Sequence, residues 1–210
     1  MARLLYIEAS PRKDRSHSIK VARAFLESYR ETHPSDTVDS LDLWAADLPR
    51  FDGYIINAKY NILHGRDHSD EEREAWRAVE HVIEDFKAAD KYVFSLPMWN
   101  FGIPYKLKHF IDVLVQPGYA FSYSPDEGYK GLITGRKAMC VYARGGAYGA
   151  GSGGESLDYQ KTYMETILGF IGITGVESLV VEPTLMAGPE KLEEIEAGLM
   201  EEAGRAAAEF

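Results

Sequence analysis

The chain has 210 residues, 45% of them hydrophobic and 27% charged, ordinary proportions for a globular domain long enough to bury a full core. Its 33 acidic against 23 basic side chains leave a net charge of −10, a surface that repels nucleic-acid phosphates and anionic lipid and leaves small molecules as the expected partners. No apolar run approaches the roughly 18 residues of a membrane span; Glu8 cuts Leu4-Leu5-Tyr6-Ile7 too short for a secretory leader, and the single cysteine, Cys140, excludes an intrachain disulfide and fits a reducing cytoplasm.

Apolar blocks alternate with helix-like segments along the chain. Arg3–Glu8 leads through a serine-rich loop into a predicted helix over Ser18–Thr32, and Thr37–Asp42 is the second block. A long connection, Leu43–Ser69, precedes a helix over Asp70–Ala89, where Trp76, Val79, Ile83 and Phe86 form one apolar stripe. Ser69 is placed to cap that helix, and Asp70-Glu71-Glu72 complement its dipole. The third block, Lys91–Leu96, is followed by a helix over Pro104–Val115 and a second long connection, Gln116–Arg136. Lys137–Ala143, a helix over Ser156–Phe170, the last block Glu177–Val181 and a helix over Pro189–Ala207 complete the chain. Pro104 and Pro189 suit first-turn positions, where a missing amide hydrogen costs nothing.

Short blocks rich in β-branched and aliphatic residues read as strands buried on both faces. Their regular alternation with helices predicts an α/β fold: a doubly wound, five-stranded parallel sheet in the order 2-1-3-4-5 with helices on both faces. In that order a ligand sits beyond the carboxyl ends of the strands at the switch point. The loops after the first, third and fourth strands are therefore expected to form one site.

Those loops have suitable chemistry. The first, Ala9–Ser18, carries Ser10, Ser16 and Ser18 at a helix start, where hydroxyls and free amides suit a phosphate. It lacks both the G-x-G-x-x-G glycines and an ATP-binding Gly-Lys-Ser/Thr sequence; the alternative role for Ser16 or Ser18 is a helix cap. The second, Leu96–Pro104, crowds Trp99, Asn100, Phe101 and Gly102 together, offering apolar faces and polar edges to a flat heteroaromatic ligand. The third, Ala143–Gly154, is glycine-rich, so its backbone can approach a ligand closely.

With Ser10-Pro11-Arg12, Ser16-x-Ser18, Pro97-Met98-Trp99-Asn100-Phe101, Arg144-Gly145-Gly146, Gly118-x-x-Phe121-x-Tyr123, Gly131-Leu132-x-x-Gly135 and Leu168–Thr174, nearly the whole chain resembles the FMN-dependent azoreductase branch of the flavodoxin-like NAD(P)H:quinone oxidoreductases. The resemblance implies one FMN-binding domain over residues 1–210. Ser10, Ser16, His17 and Ser18 would hold the FMN phosphate, and Pro97, Met98, Trp99, Asn100, Phe101, Gly102, Ala143, Arg144, Gly145 and Gly146 would line the ribityl chain and ring. It further implies a homodimer in which NAD(P)H and a quinone or azo acceptor use one pocket in turn, hydride passing to flavin N5. Trp99, Phe101, Tyr148 and, from across the dimer, Phe121 would wall that pocket. No protein side chain is required as catalyst; Tyr148 is the nearby proton donor. Two positions depart from the family pattern: Ala143 stands where Ser is usual, and Tyr148 where a His often follows.

The rival readings are a flavodoxin-type electron carrier and a flavin-binding module without turnover, since the fold hosts many functions. The two long connections favour the enzyme, as walls of a pocket or dimer contacts. His64 and His68 are four residues apart, but Gly65 between them argues for a loop, so no metal is expected. Cys140 is expected to be a buried small hydrophobe, Asp112 a solvated group, and the acid-rich Glu190–Glu202 helix a solvated face opposite Leu192, Ile195 and Leu199.

Overall fold

The computed structural model describes residues 1–210. Its central sheet contains β1 (Arg3–Glu8), β2 (Thr37–Asp42), β3 (Lys91–Pro97), β6 (Lys137–Ala143) and β7 (Gly175–Val181). They lie parallel in the order β2-β1-β3-β6-β7, the 2-1-3-4-5 arrangement when the sheet strands alone are numbered. Side-chain alternation sends Leu5, Ile7, Phe94, Leu96, Cys140 and Tyr142 into one core and Leu4, Tyr6, Val93, Met139 and Val141 into the other. Helices α1 (His17–Thr32) and α6 (Pro189–Glu209) cover the second core. Helices α3 (Asp70–Lys87), α4 (Tyr105–Leu114) and α5 (Tyr159–Ile171) cover the first.

In α3 the Trp76–Phe86 stripe is buried, and Ser69 forms a reciprocal capping box with Glu72. Pro189 occupies the first turn of α6, whereas Pro104 precedes α4 as its cap residue, in extended backbone. Burial pushes the Cys140 thiol up to about 12, so it stays protonated and unreactive at neutral pH. No helix is long and apolar enough to cross a membrane.

Both long connections contain regular structure. Residues Gly53–Leu63 form α2, started by Asp52, whose carboxylate accepts from the Tyr54 and Ile55 amides. Phe121–Ser124 and Gly128–Gly131 form an antiparallel hairpin, β4 and β5, where a loop is expected from sequence. The reason is a period-two pattern, Phe121-x-Tyr123, followed by turn residues and by Gly128 in left-handed backbone. The acidic face of α6 is not wholly solvated either. Glu196 is buried against α1, where its carboxylate meets His17 Nδ1 and, at 3.2 Å, Lys20 Nζ.

Candidate active site

The carboxyl ends of β1 and β2 stand in register, with Glu8 beside Asp42. Two adjacent carboxylates need a cation, and Lys13 from the following loop supplies it, 2.6 Å from Glu8 and 2.5 Å from Asp42. Burial works against the Lys13 ammonium, but its bonds to Asp42 and Glu8 outweigh that and hold its pKa above the usual lysine value. The backbone at Lys13 is drawn into the left-handed region, φ 50°.

That loop delivers Ser10, Ser16 and Ser18 to the start of α1, all three buried. Ser16 occupies the cap position, yet its hydroxyl bonds no helix amide; it lies 3.2 Å from the Ser18 hydroxyl. The amides of His17, Ser18 and Ile19 donate to no protein group, and the Ser10 oxygen accepts only a long bond from the Arg12 amide, 3.4 Å. Buried hydroxyls beside the free amides of a helix N-terminus are the donor set of a phosphate monoester. Of the residues predicted here, His17 contributes its amide alone, because its imidazole is turned to Glu196.

The second loop leaves β3 at Pro97 and is tied to the third where the Met98 amide bonds the Ala143 carbonyl at 2.8 Å. Trp99 and Gly102 exchange backbone bonds of 3.0 and 2.9 Å around a tight turn. Both central residues are left-handed, Asn100 at φ 48° and Phe101 at φ 67°. Such a turn suits Asn-Gly; a Phe there costs about 1–2 kcal/mol, and strain of this kind concentrates at functional sites. The turn presents Trp99 and Phe101 as exposed rings.

In the third loop the amides of Gly145, Gly146 and Ala147 donate to no protein group. The Tyr148 ring lies over Gly146, where an added Cβ would fall 3.2 Å from its hydroxyl, and meets Phe101 edge-on at 6.1 Å. Arg144 behaves differently from its expected place on the cofactor. Its side chain is fully buried: Nε donates to Gln160 at 3.1 Å, Nη1 meets Glu182 at 3.4 Å, and Nη2 lies 2.8 Å from Asp158. Only the backbone beside it faces the site.

The sheet thus brings Ser16 and Ser18 together at one end, with Ser10 in the same loop, pairs Phe101 with Tyr148, and sets Trp99 in a separate aromatic group with Trp44 and Tyr105. Phe121 is in neither group; it packs with Phe170 at 4.8 Å and Tyr129 at 5.9 Å, against α5. Two contributors escape sequence reasoning. Trp44, just after β2, donates from its indole to the Ala9 carbonyl at 3.1 Å and packs on Trp99 at 5.8 Å, joining the first loop to the second. The loop after β7 pairs with the third, Thr184 and Leu185 amides bonding the Arg144 and Gly145 carbonyls. An aromatic after a strand end is a weak signal, and Leu185 carries none.

Comparison with known proteins identifies the fold and the family. A family model described as flavodoxin-like fold matches residues 2–205. A protein named FMN-dependent NADH:quinone oxidoreductase from Nitratidesulfovibrio vulgaris (strain DP4) is 52% identical over 210 residues, covering 100% of both chains. The azoreductase structure from Bacillus anthracis str. Sterne superposes with a TM-score of 0.91 at 36% identity, over 100% of each chain. An FMN-dependent NADH-azoreductase from Bacillus anthracis str. Ames Ancestor, solved in complex with FMN, gives 0.88 at 29% identity over 99% of this chain and 100% of that one. The chain belongs to the flavodoxin-like family of FMN-dependent NADH:quinone oxidoreductases and azoreductases.

Proposed function

We propose that this chain is an FMN-dependent enzyme that passes two electrons from NADH to quinones, and to azo compounds as further flat acceptors, by a ping-pong scheme. The observation that carries the reading is the start of α1, where buried Ser10, Ser16 and Ser18 stand beside amides without partners and no serine is spent on capping. Ser10, Ser16 and Ser18 with the His17 amide bind the FMN phosphate. The Pro97–Gly102 turn and the backbone of Ala143–Gly146 line the rest of the cofactor. FMN, when bound, supplies the two-electron chemistry. Trp99, Phe101 and Tyr148 exclude water and give flat molecules an apolar face, and the Tyr148 hydroxyl holds a proton within reach of an acceptor.

Because one aromatic pocket serves donor and acceptor, NAD must leave before the quinone enters. Steady-state NADH oxidation with benzoquinone is therefore expected to give parallel initial-rate lines. Intersecting lines would remove the shared pocket, and absence of turnover would leave an electron carrier.

The chain acts as a homodimer in this reading. Trp99, Tyr105 and Tyr159 are exposed around two open grooves of about 520 and 430 Å³ that meet at Ile103 and Lys108. This is more aromatic surface than a solitary domain leaves in water. Phe121, packed on Phe170 and Tyr129 in its own chain, contributes to the pocket of the partner in this reading. Light scattering at micromolar concentration is expected to return twice the chain mass; the monomer mass would refute it.

A further inference from the structure

Tyr148 sits in a glycine-rich segment. Gly145, Gly146, Gly149, Gly151, Gly153 and Gly154 surround it, two of them left-handed, Gly151 at φ 82° and Gly153 at φ 77°. Such a chain has much conformational freedom to lose and little side-chain packing with which to offset it. Its distal part is bonded within itself, the Ser152 amide to the Gly149 carbonyl and the Gly151 amide to Glu155, whereas the Tyr148 and Gly149 amides are held from the end of β7. The Glu182 carboxylate accepts from the Tyr148 amide at 2.9 Å through one oxygen and from the Gly149 amide at 3.0 Å through the other. The first oxygen also lies 3.4 Å from Arg144 Nη1, and the Arg144 side chain is only 1% exposed.

Arg144 is in turn held by Gln160 and Asp158, at the start of α5. The clamp therefore runs from a helix, through a buried guanidinium and a carboxylate, to two adjacent amides. The approach is close: a Cβ at Gly149 would stand 2.8 Å from the Glu182 oxygen, so any larger residue there obliges the carboxylate to shift. Beyond the clamp, the Tyr148 ring rests on Gly146 and Gly154, each 3.2 Å from a ring atom or hydroxyl when given a Cβ, with Phe101 at its edge.

We propose that Glu182 is a positioning residue for the acceptor side of the site, its carboxylate setting the Tyr148–Gly149 backbone and so the place of the Tyr148 ring. The inference rests on the proposed function only for what Tyr148 does there; the clamp itself stands on geometry. Glu182→Gln keeps the shape but leaves one neutral oxygen where two charged ones held two amides and faced Arg144. Gly149→Ala reaches the same end from the other side, displacing the carboxylate while keeping its charge beside Arg144, and serves if Glu182→Gln folds poorly.

The experiment measures amide hydrogen exchange in the full chain and, in the FMN-loaded enzyme, benzoquinone kinetics. Both variants are expected to exchange the amides at positions 148 and 149 about tenfold faster than the unaltered chain. Each is expected to raise KM for benzoquinone about tenfold, with kcat and FMN affinity changed less than about threefold. In a Tyr148→Ala background, Glu182→Gln is expected to shift KM by less than about twofold, because the ring it positions is gone. Unchanged exchange in both variants overturns the clamp. A KM effect of the same size with and without the Tyr148 ring overturns the positioning role. If the unaltered enzyme reduces no quinone, the functional reading falls, and the exchange data, which need no turnover, decide the clamp alone.

Discussion

Replacing Ser16 and Ser18 together by Ala is expected to weaken FMN binding by at least about tenfold while leaving riboflavin, which lacks the phosphate, almost unaffected. Each hydrogen bond to a charged group contributes about 1.5–3 kcal/mol, and the pair supplies two of them. The contrast between ligands is diagnostic because neither serine has a structural task that Ala would abolish. Ser16 caps no amide, and the two hydroxyls bond only each other. Lys13 cannot compensate, its ammonium being committed to Glu8 and Asp42. Titration of apo-protein with both flavins, followed by fluorescence, separates the cases. Equal losses for FMN and riboflavin would mean that the serines shape the loop rather than bind phosphate.

Arg144→Leu is expected to be the most destabilising single change near the site. The substitution leaves the mostly buried carboxylates of Asp158 and Glu182 facing each other and strips the buried Gln160 oxygen of its donor. Removing one partner of a buried ion pair costs about 3–5 kcal/mol. Asp158 and Glu182 keep 13% and 17% side-chain exposure, so water recovers part of this and the lower end applies. For a chain of this size, about 3 kcal/mol lowers Tm by roughly 6–12 °C. Arg144→Lys recovers little, since a point charge cannot face three partners at the angles a planar fork allows. Urea unfolding that shows a loss under about 1 kcal/mol for Arg144→Leu would make the network ornamental to stability.

Most of the sheet was legible because its three central strands, β1, β3 and β6, are buried on both sides and so are written as largely apolar runs. At the edge, β7 begins at Gly175 rather than Glu177, since pairing with Lys137 on β6 extends it past its apolar stretch. The Gly53–Leu63 helix was hidden for the opposite reason. Its apolar residues fall all round rather than on one stripe, and Tyr54, Ile56, Tyr60 and Leu63 remain exposed, so periodicity gives no face; the Asp52 cap was its one local sign.

For the candidate site, residue type pointed to three loops at the carboxyl edge of the sheet, but side-chain direction was out of reach. Nothing local distinguishes an arginine that meets a ligand from one swallowed by Asp158 and Glu182, residues distant in sequence. The same holds for His17, taken by Glu196 on the last helix. Glu182 itself looks like any acid after a strand. Its role exists only once β6 and β7 are paired.

The left-handed Phe101 has a consequence for how this protein would change under artificial selection. A library ranked only by survival on heating would favour glycine at 101, which relaxes the turn by about 1–2 kcal/mol and leaves every backbone bond in place. The winners would look like successes while losing the ring that meets Tyr148. On the proposed function, robustness and turnover draw this one residue in opposite directions, so an engineer who wants both must look for the gain elsewhere in the fold.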